Sequence, residues 1–163
     1  MNFQESIIKE IGDVLHERKE SIAVAESVTA GFLQLALSSI TAASAVFKGG
    51  ITTYTIDEKV RLLDIDASEA AVKNCVSESI TEQMARNVAR LFDSTWAIAT
   101  TGYATQVPES NFKQFAFCTI YHHNKILFTK KTELYPHTNP IDAQHFYAES
   151  ALFELHALLV PGL

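Results

Sequence analysis

The spacing of apolar residues predicts helices and strands that alternate over the first two thirds of the chain. Near the start, apolar residues recur at helical spacing while most charged residues fall on the other side. The same pattern predicts helices over residues 3–19, 28–39, 57–63, 77–92 and 141–160. Short apolar or β-branched runs predict strands over residues 21–25, 50–55, 95–101, 115–122 and 125–132.

The segments between these elements are typical of connections. Residues 64–74 are polar with some helical character, and residues 103–114 form a polar loop. His123-Asn124 lies between two strands and predicts an antiparallel hairpin. Ser77 precedes a long helical pattern and is a candidate N-cap.

This order of elements favours one fold class. Alternating helices and strands followed by a hairpin predict an α/β protein, a three-layer α/β/α sandwich with a mixed, mostly parallel sheet of about five strands. The chain contains no repeat, low-complexity tract or Pro/Gly/Ser-rich linker, so we expect residues 1–163 to form a single domain.

Charge and cysteine content narrow the class of function. The 163 residues carry 13 basic and 19 acidic side chains, a net charge of −6, which disfavours nucleic acid as a partner. No stretch approaches the ~20 apolar residues of a membrane span, and the first residues lack the apolar core of a secretory signal. Cys75 and Cys118 do not make a disulfide framework and are interpreted as reduced packing residues. We therefore expect a cytoplasmic protein without a membrane partner.

The first candidate site is the sequence AESVTAG, residues 25–31, between a predicted strand and a predicted helix. Ser27 would sit at the carboxyl end of a strand, where open α/β sheets place ligands. The start of the following helix would offer unpaired N–H groups to an anion or a developing oxyanion. In the alternative interpretation, Ser27 or Thr29 is only an N-cap and the small residues ease packing.

Two further segments carry candidate chemistry. Tyr54 and Lys59 lie at a predicted strand end and in the next helix, and a lysine whose pKa is lowered can activate a serine hydroxyl without histidine. By spacing alone, the default interpretation of Lys59 is a solvated helix residue. Thr101 and Gly102 end another predicted strand and would bring a hydroxyl and close backbone approach to the same sheet edge, unless Gly102 is only a turn glycine.

The six histidines give no metal motif. His122 and His123 are adjacent at a strand end, so we expect their side chains to point to opposite faces of the sheet. A histidine partner for Ser27 stays open, although no spacing favours one. The sequence therefore predicts no metal site and no cofactor.

Taken together, these segments resemble the C-terminal domain of the competence/damage-inducible protein (CinA) family. The family patterns A-E-S-C-T-G-G, S-x-x-F-x-G-G and V-x-Y-S-N-x-x-K correspond here to AESVTAG, SAVFKGG and ITTYTIDEK. The resemblance is strongest over residues 24–63, 76–85 and 97–102. The stand-alone form of this family domain is nicotinamide mononucleotide deamidase, which hydrolyses the nucleotide's carboxamide to the acid and ammonia.

The resemblance implies an α/β/α sandwich and a role for each matched residue. Ser27 falls on the nucleophile, Lys59 on the base and Tyr54 on the site tyrosine, all of them catalytic. The substrate-binding positions implied by the match are Thr29, Ala30, Gly31, Gly49, Gly50, Thr101 and Gly102. It also implies a nicotinamide mononucleotide-like substrate and a homodimer or higher homo-oligomer.

The chain departs from the family pattern at several positions. Val28 replaces the motif cysteine, Ala30 replaces a glycine, and the glycine-rich stretch after Gly102 is missing. The family arginine before the last helix is also missing, with His145 and Lys130 as candidate replacements. Loss of one charge-assisted contact costs about 1.5–3 kcal/mol, roughly tenfold to a hundredfold or more in affinity or rate.

Two functions follow from this mixture. The retained serine, lysine, tyrosine and threonine favour an amidohydrolase acting by a serine–lysine mechanism. The lost glycines and arginine favour a catalytically inactive relative that acts as a nucleotide-binding or partner-binding module.

Overall fold

A five-stranded mixed sheet forms the centre of the computed structural model, which describes residues 3–160. The strands are β1 (Ile22–Glu26), β2 (Phe47–Thr52), β3 (Trp96–Tyr103), β4 (Phe115–His122) and β5 (Lys125–Glu133). Their order in the sheet is β2-β1-β3-β4-β5. β1 pairs in parallel with β2 and β3, whereas β4 is antiparallel to both of its neighbours, so β4 alone runs against the other four.

Among the described residues, six α-helices flank the sheet. They are α1 (Glu5–Arg18), α2 (Phe32–Ser38), α3 (Ile56–Leu63), α4 (Ala67–Lys73), α5 (Glu78–Phe92) and α6 (Pro140–Leu159). Short 3-10 turns lie at Ala43–Ala45 and Pro108–Ser110. Within residues 3–160, no helix is both long and apolar enough to cross a membrane.

The two faces of the sheet bury different side chains because strand residues alternate in direction. On one face, Ile22, Val24 and Ile98 pack under α1, α2 and α6. On the other face, the neighbouring positions are alanines, such as Ala23 and Ala97, against which α5 packs closely. The arrangement confirms the predicted α/β class with a mixed five-stranded sheet.

Several boundaries differ from the prediction. Strand β2 spans Phe47–Thr52 rather than 50–55, because Gly50 pairs with Val24 inside the sheet. The second helix begins at Phe32 rather than at residue 28, because the preceding residues form a turn. Part of the predicted polar connection 64–74 forms α4, which is capped by Asp66.

Other boundaries agree more closely with the sequence. Ser77 caps α5 as predicted, since its Oγ accepts the Ile80 N–H at 3.2 Å. The hairpin of β4 and β5 turns at His123 and Asn124, which both have positive φ.

The parallel strands bring three chain segments to one edge of the sheet. The Ser27 N–H donates to Thr100 O at 3.0 Å, and the Thr53 N–H donates to Glu26 O at 2.9 Å. Ser27, which follows β1, therefore lies beside β3, and Thr53, which follows β2, lies beside the end of β1. Ligands in open α/β sheets bind at such carboxyl ends of strands.

Candidate active site

Ser27 and Lys59 form a buried hydrogen-bonded pair at this edge. Lys59 Nζ donates to Ser27 Oγ at 2.9 Å, across 32 positions of sequence, and to Tyr54 O at 3.4 Å. Ser27 is 6% exposed and Lys59 is 2% exposed. Helix α3, whose first turn is capped by the Thr55 hydroxyl, aims the lysine inward. The interpretation of Lys59 as a solvated helix residue is therefore wrong.

Burial lowers the pKa of Lys59 to about 8, and the nearby Cys75 thiol acts weakly in the opposite direction. No carboxylate within residues 3–160 forms an ion pair with this amine. With a pKa of about 8, about one lysine in ten is neutral at pH 7. A neutral amine beside a serine hydroxyl can accept the serine's proton, which is the requirement for a general base.

A cavity of about 350 Å³ opens at the Ser27–Lys59 pair. It is lined by Ser27, Val28, Tyr54, Thr55, Ile56, Lys59, Asn74, Cys75, Val76, Thr101, Gly102, Tyr103, Ala104, Thr105, Pro140 and Gln144. Tyr54 is 68% exposed and lies outside β2, so its side chain is at the rim rather than on a strand. The volume is in the range of cavities that hold small-molecule ligands.

The start of α2 does not offer the free N–H groups that the sequence suggested. Glu26, which is completely buried, accepts hydrogen bonds from the N–H groups of Gly31, Leu33 and Gln34 at 2.9–3.1 Å. The carboxylate caps the helix and occupies its positive end. The expectation that this helix terminus binds an external anion is therefore wrong.

The N-cap interpretation of Ser27 and Thr29 is also wrong. The Ser27 hydroxyl accepts from Lys59, and the Thr29 hydroxyl pairs with that of Thr100 at 2.7 Å. A different backbone donor remains at the site. Among residues 3–160, no acceptor pairs with the N–H of Val28, which follows Ser27 and lines the cavity. The N–H after a nucleophile is a common oxyanion donor.

The remaining predicted binding residues divide into two groups. Thr101 and Gly102 line the cavity, and the Thr101 hydroxyl donates to Cys75 O at 2.8 Å. A Cβ at Gly102 would lie 2.3 Å from Phe115 O, so close approach to β4 demands a glycine there.

The second group lies outside the cavity lining. It comprises Thr29, Ala30, Gly31, Gly49 and Gly50. A Cβ at Gly49 would meet the Phe92 ring at 2.9 Å, and one at Gly50 would meet Val24 at 2.4 Å. These two glycines therefore allow close packing around β2, and a role of this group in substrate binding stays a prediction.

Sequence reasoning missed five polar residues and one thiol of the cavity: Thr55, Asn74, Tyr103, Thr105, Gln144 and Cys75. Cys75 is buried, has φ +55° after α4, and its free thiol has a pKa raised by burial. Asn74 donates to the Tyr103 hydroxyl at 3.0 Å. No local pattern singles these residues out, because they come from separate segments of the chain.

Neither candidate replacement for the family arginine reaches the cavity. Lys130 pairs with Glu154 at 2.8 Å, and the His145 ring stacks on Phe3 with centroids 4.7 Å apart. Lys59 is the one cationic side chain among the described lining residues. Any phosphate bound here would depend on this amine and on neutral donors.

A buried glutamine organises the segment that replaces the family's glycine-rich stretch. Gln114 Nε2 donates to Ala104 O and to Thr138 O, both at 2.7 Å. The Tyr147 hydroxyl donates to Tyr103 O at 3.3 Å. These contacts fix the cavity wall after β3 without additional glycines.

Comparison with protein families identifies the relatives of this chain. A family model described as the CinA C-terminal domain matches residues 4–159. A CinA-like protein from Prochlorococcus marinus is 33% identical over 148 residues, which are 90% of this chain and 35% of that protein. A putative competence-damage inducible protein from Streptococcus pneumoniae is 36% identical over 99 residues, 61% of this chain and 24% of that protein. The chain thus spans about a quarter to a third of the length of these relatives.

Solved structures share the fold at lower sequence identity. A competence-damaged protein (CinA) superfamily protein from Klebsiella pneumoniae superimposes with a TM-score of 0.88 at 22% identity, covering 94% of this chain and 96% of that one. The competence/damage inducible protein CihA from Agrobacterium tumefaciens has a TM-score of 0.82 at 23% identity, with coverages of 97% and 98%. At these identities the likeness establishes the fold alone.

Proposed function

Since this chain belongs to the CinA C-terminal domain family, we propose that it is an amidohydrolase of the nicotinamide mononucleotide deamidase type. The observation that carries the proposal is the 2.9 Å contact of Lys59 Nζ with Ser27 Oγ at the floor of an open cavity. A domain kept only for its fold gains nothing from burying an amine without a carboxylate partner, because burial of a charge costs free energy.

The proposed reaction begins with attack on the amide. Ser27 Oγ adds to the carboxamide carbon while neutral Lys59 accepts the hydroxyl proton. The N–H of Val28 would stabilise the oxyanion of the tetrahedral intermediate. When the intermediate collapses, the C–N bond breaks and Lys59 returns the proton to the leaving nitrogen, which departs as ammonia.

The second half of the reaction regenerates the serine. A water molecule attacks the acyl-serine ester while Lys59 accepts a proton from the water. Collapse of this second intermediate breaks the ester bond, and the proton returns to Ser27 Oγ. The net change is amide plus water giving carboxylic acid plus ammonia.

Substrate recognition would rest mainly on neutral donors. Asn74, Thr105 and Gln144 line the cavity and offer amide and hydroxyl groups to the nucleotide. Without an arginine, a phosphate loses a bidentate charged partner. We therefore propose that the nucleotide binds weakly and that Tyr54 at the rim contributes to its positioning.

The small number of cationic side chains that line the cavity also favours a second function. With one cation lining the described cavity, the domain could bind a pyridine nucleotide, or a partner, without turnover. The two functions differ in one measurable property, the release of ammonia. Binding without ammonia release supports the second function.

The deciding experiment uses purified protein and nicotinamide mononucleotide. Ammonia and nicotinic acid mononucleotide are measured for wild type, Ser27→Ala and the exposed-surface control Ser38→Ala. We expect turnover in wild type and in the control, and its loss in Ser27→Ala. Equal ammonia release from Ser27→Ala and wild type would overturn the serine mechanism. No release from folded wild type, with binding retained by calorimetry, would establish the binding module.

The assembly state and location are proposed with this function. We propose a cytoplasmic homodimer or higher homo-oligomer, since Phe146 and Phe153 of α6 are both about half exposed and offer apolar contact area. Light scattering coupled to gel filtration tests the assembly, and a monomeric mass would contradict it.

A further inference from the structure

Two histidines and a glutamate converge at the end of the sheet opposite to Ser27. Glu20 precedes β1, and His122 is the last residue of β4, where it pairs with Trp96 at the start of β3. His123 follows directly. Ser27 lies beyond the other end of β1, so this cluster is separate from the proposed hydrolytic site.

The two imidazoles lie on the same side, contrary to the sequence-based expectation. Glu20 Oε1 is 3.0 Å from His122 Nε2 and 3.4 Å from His123 Nε2, and the ring centroids are 4.2 Å apart. The expectation of opposite faces is wrong because His123 has φ +44° in the hairpin turn and does not continue the strand. Its N–H donates to Thr95 O at 3.1 Å, which anchors the turn.

Buried contacts orient the carboxylate and the first ring. Trp96 Nε1 donates to Glu20 Oε2 at 2.7 Å, which leaves Oε1 directed toward the two histidines. The Trp96 ring also stacks on His122, with centroids 3.9 Å apart and planes inclined by 22°. Hydrogen bonds and packing of this kind, just outside the ligands, are what fix the orientation of metal-binding side chains.

The three ligand atoms lie close enough together to converge on one divalent ion. Ligand atoms about 2.0–2.1 Å from a tetrahedral Zn²⁺ are about 3.3–3.4 Å from one another. The ligand atoms of Glu20, His122 and His123 all lie within 4.8 Å of one another. His123 is exposed, with 60% of its side chain accessible, so its ring can adjust and a water molecule can complete the coordination.

The donor atoms also indicate the kind of ion. Imidazole nitrogen with one carboxylate oxygen selects borderline ions such as Zn²⁺ over Mg²⁺ or Ca²⁺, which prefer all-oxygen ligands.

We propose that Glu20, His122 and His123 form a binding site for a divalent transition-metal ion of the Zn²⁺ type. The ion would join the segment before β1 to the β4–β5 hairpin. An open fourth position would remain on the exposed side.

The test is calorimetric titration of the tag-free protein with Zn²⁺ and, separately, with Mg²⁺. The variants are Glu20→Gln and His123→Asn, because asparagine accepts the left-handed conformation of position 123. His137→Asn is the matched control, since His137 is also exposed with positive φ. We expect one Zn²⁺ per chain, at least tenfold weaker binding in both site variants, unchanged binding in the control, and no Mg²⁺ binding.

Two results would overturn the proposal. One is Zn²⁺ affinity in His123→Asn equal to that of wild type. The other is binding weakened equally by His137→Asn, which would show nonspecific capture by surface histidines. Circular dichroism confirms that each variant is folded. Because the cluster lies at the opposite sheet end, failure of this proposal leaves the amidohydrolase proposal intact.

Discussion

The two ends of the sheet each hold a titratable side chain whose pKa is lowered, for opposite reasons. At the carboxyl end, burial lowers the pKa of Lys59 to about 8, which means that the charged form is disfavoured. At the amino end, burial would raise the pKa of Glu20, but hydrogen bonds from Trp96 and His122 outweigh it and lower that pKa. There the charged form is favoured. One end therefore keeps a base ready to accept a proton, and the other keeps an anion.

The largest expected effect concerns the rate of amide hydrolysis at the carboxyl end. Replacing Lys59 with methionine removes the base, and we expect the rate to fall about 10²–10⁴-fold. The exposed Lys73→Met is the control and should retain wild-type activity. In wild type, kcat/KM should rise about tenfold per pH unit below an apparent pKa of about 8 and then level off. A profile that is flat from pH 6 to 9 would contradict the role of Lys59.

The next effect concerns the free energy of unfolding, to which the two ends of the sheet contribute with opposite signs. A lysine with a folded pKa of about 8, against 10.5 as its ordinary value, destabilises the fold at pH 7 by about 3 kcal/mol. Because the unfolded chain binds the extra proton, this destabilisation is complete below pH 8 and disappears as the pH rises to 10.5. Lys59→Met should therefore raise the free energy of unfolding at pH 7.

The corresponding change at the amino end should have the opposite sign. Metal-free Glu20→Gln loses charge-assisted hydrogen bonds and should lower the free energy of unfolding by about 2 kcal/mol. Urea denaturation at pH 7 measures both variants. If Lys59→Met and Glu20→Gln changed the free energy of unfolding in the same direction, this difference between the two ends would be contradicted.

A smaller effect concerns the other buried carboxylate, Glu26. Its carboxylate accepts hydrogen bonds from three backbone N–H groups at the start of α2. Glutamine has a single amide oxygen and can accept only some of these hydrogen bonds. We expect Glu26→Gln to lower the free energy of unfolding by about 1–2 kcal/mol. Urea denaturation is the measurement, with the exposed Glu17→Gln as a control that should stay within about 0.5 kcal/mol of wild type.

The smallest effect concerns the turn between Ser27 and α2. Ala30 has φ +49°, in the left-handed region that L-residues other than glycine rarely adopt. We expect Ala30→Gly to raise the free energy of unfolding by up to about 1 kcal/mol, since relief of this strain exceeds the entropy cost of glycine. Thermal denaturation checks this, and a lower melting temperature would show that the turn is unstrained.

The elements of the fold were predictable where they depend on local pattern. Helix α5 follows from its apolar spacing and its Ser77 cap, and the hairpin follows from two β-branched runs. Strand β2 was misplaced by three residues because the pairing of Gly50 with Val24 is a non-local property. Tyr54 consequently lies in a loop.

The candidate site was predictable only in part, and for the same physical reason. Nothing in the spacing of Ser27 and Lys59 places them together, and the resemblance to a family supplied that pair. The capping of α2 by Glu26 depends on a side chain bonding to residues up to eight positions later, which no local pattern indicates. The convergence of His122 and His123 depends on a single left-handed residue in a turn.

The buried Gln114 ties two segments of the cavity wall together although it does not line the cavity itself. Its one amide nitrogen holds Ala104, on one wall, and Thr138, just before the other wall at Pro140 and Gln144. The separation of the two walls is thereby fixed by a residue outside the lining. A shorter side chain at position 114 would release this tie and change the width of the cavity, while every residue that lines the cavity stays the same.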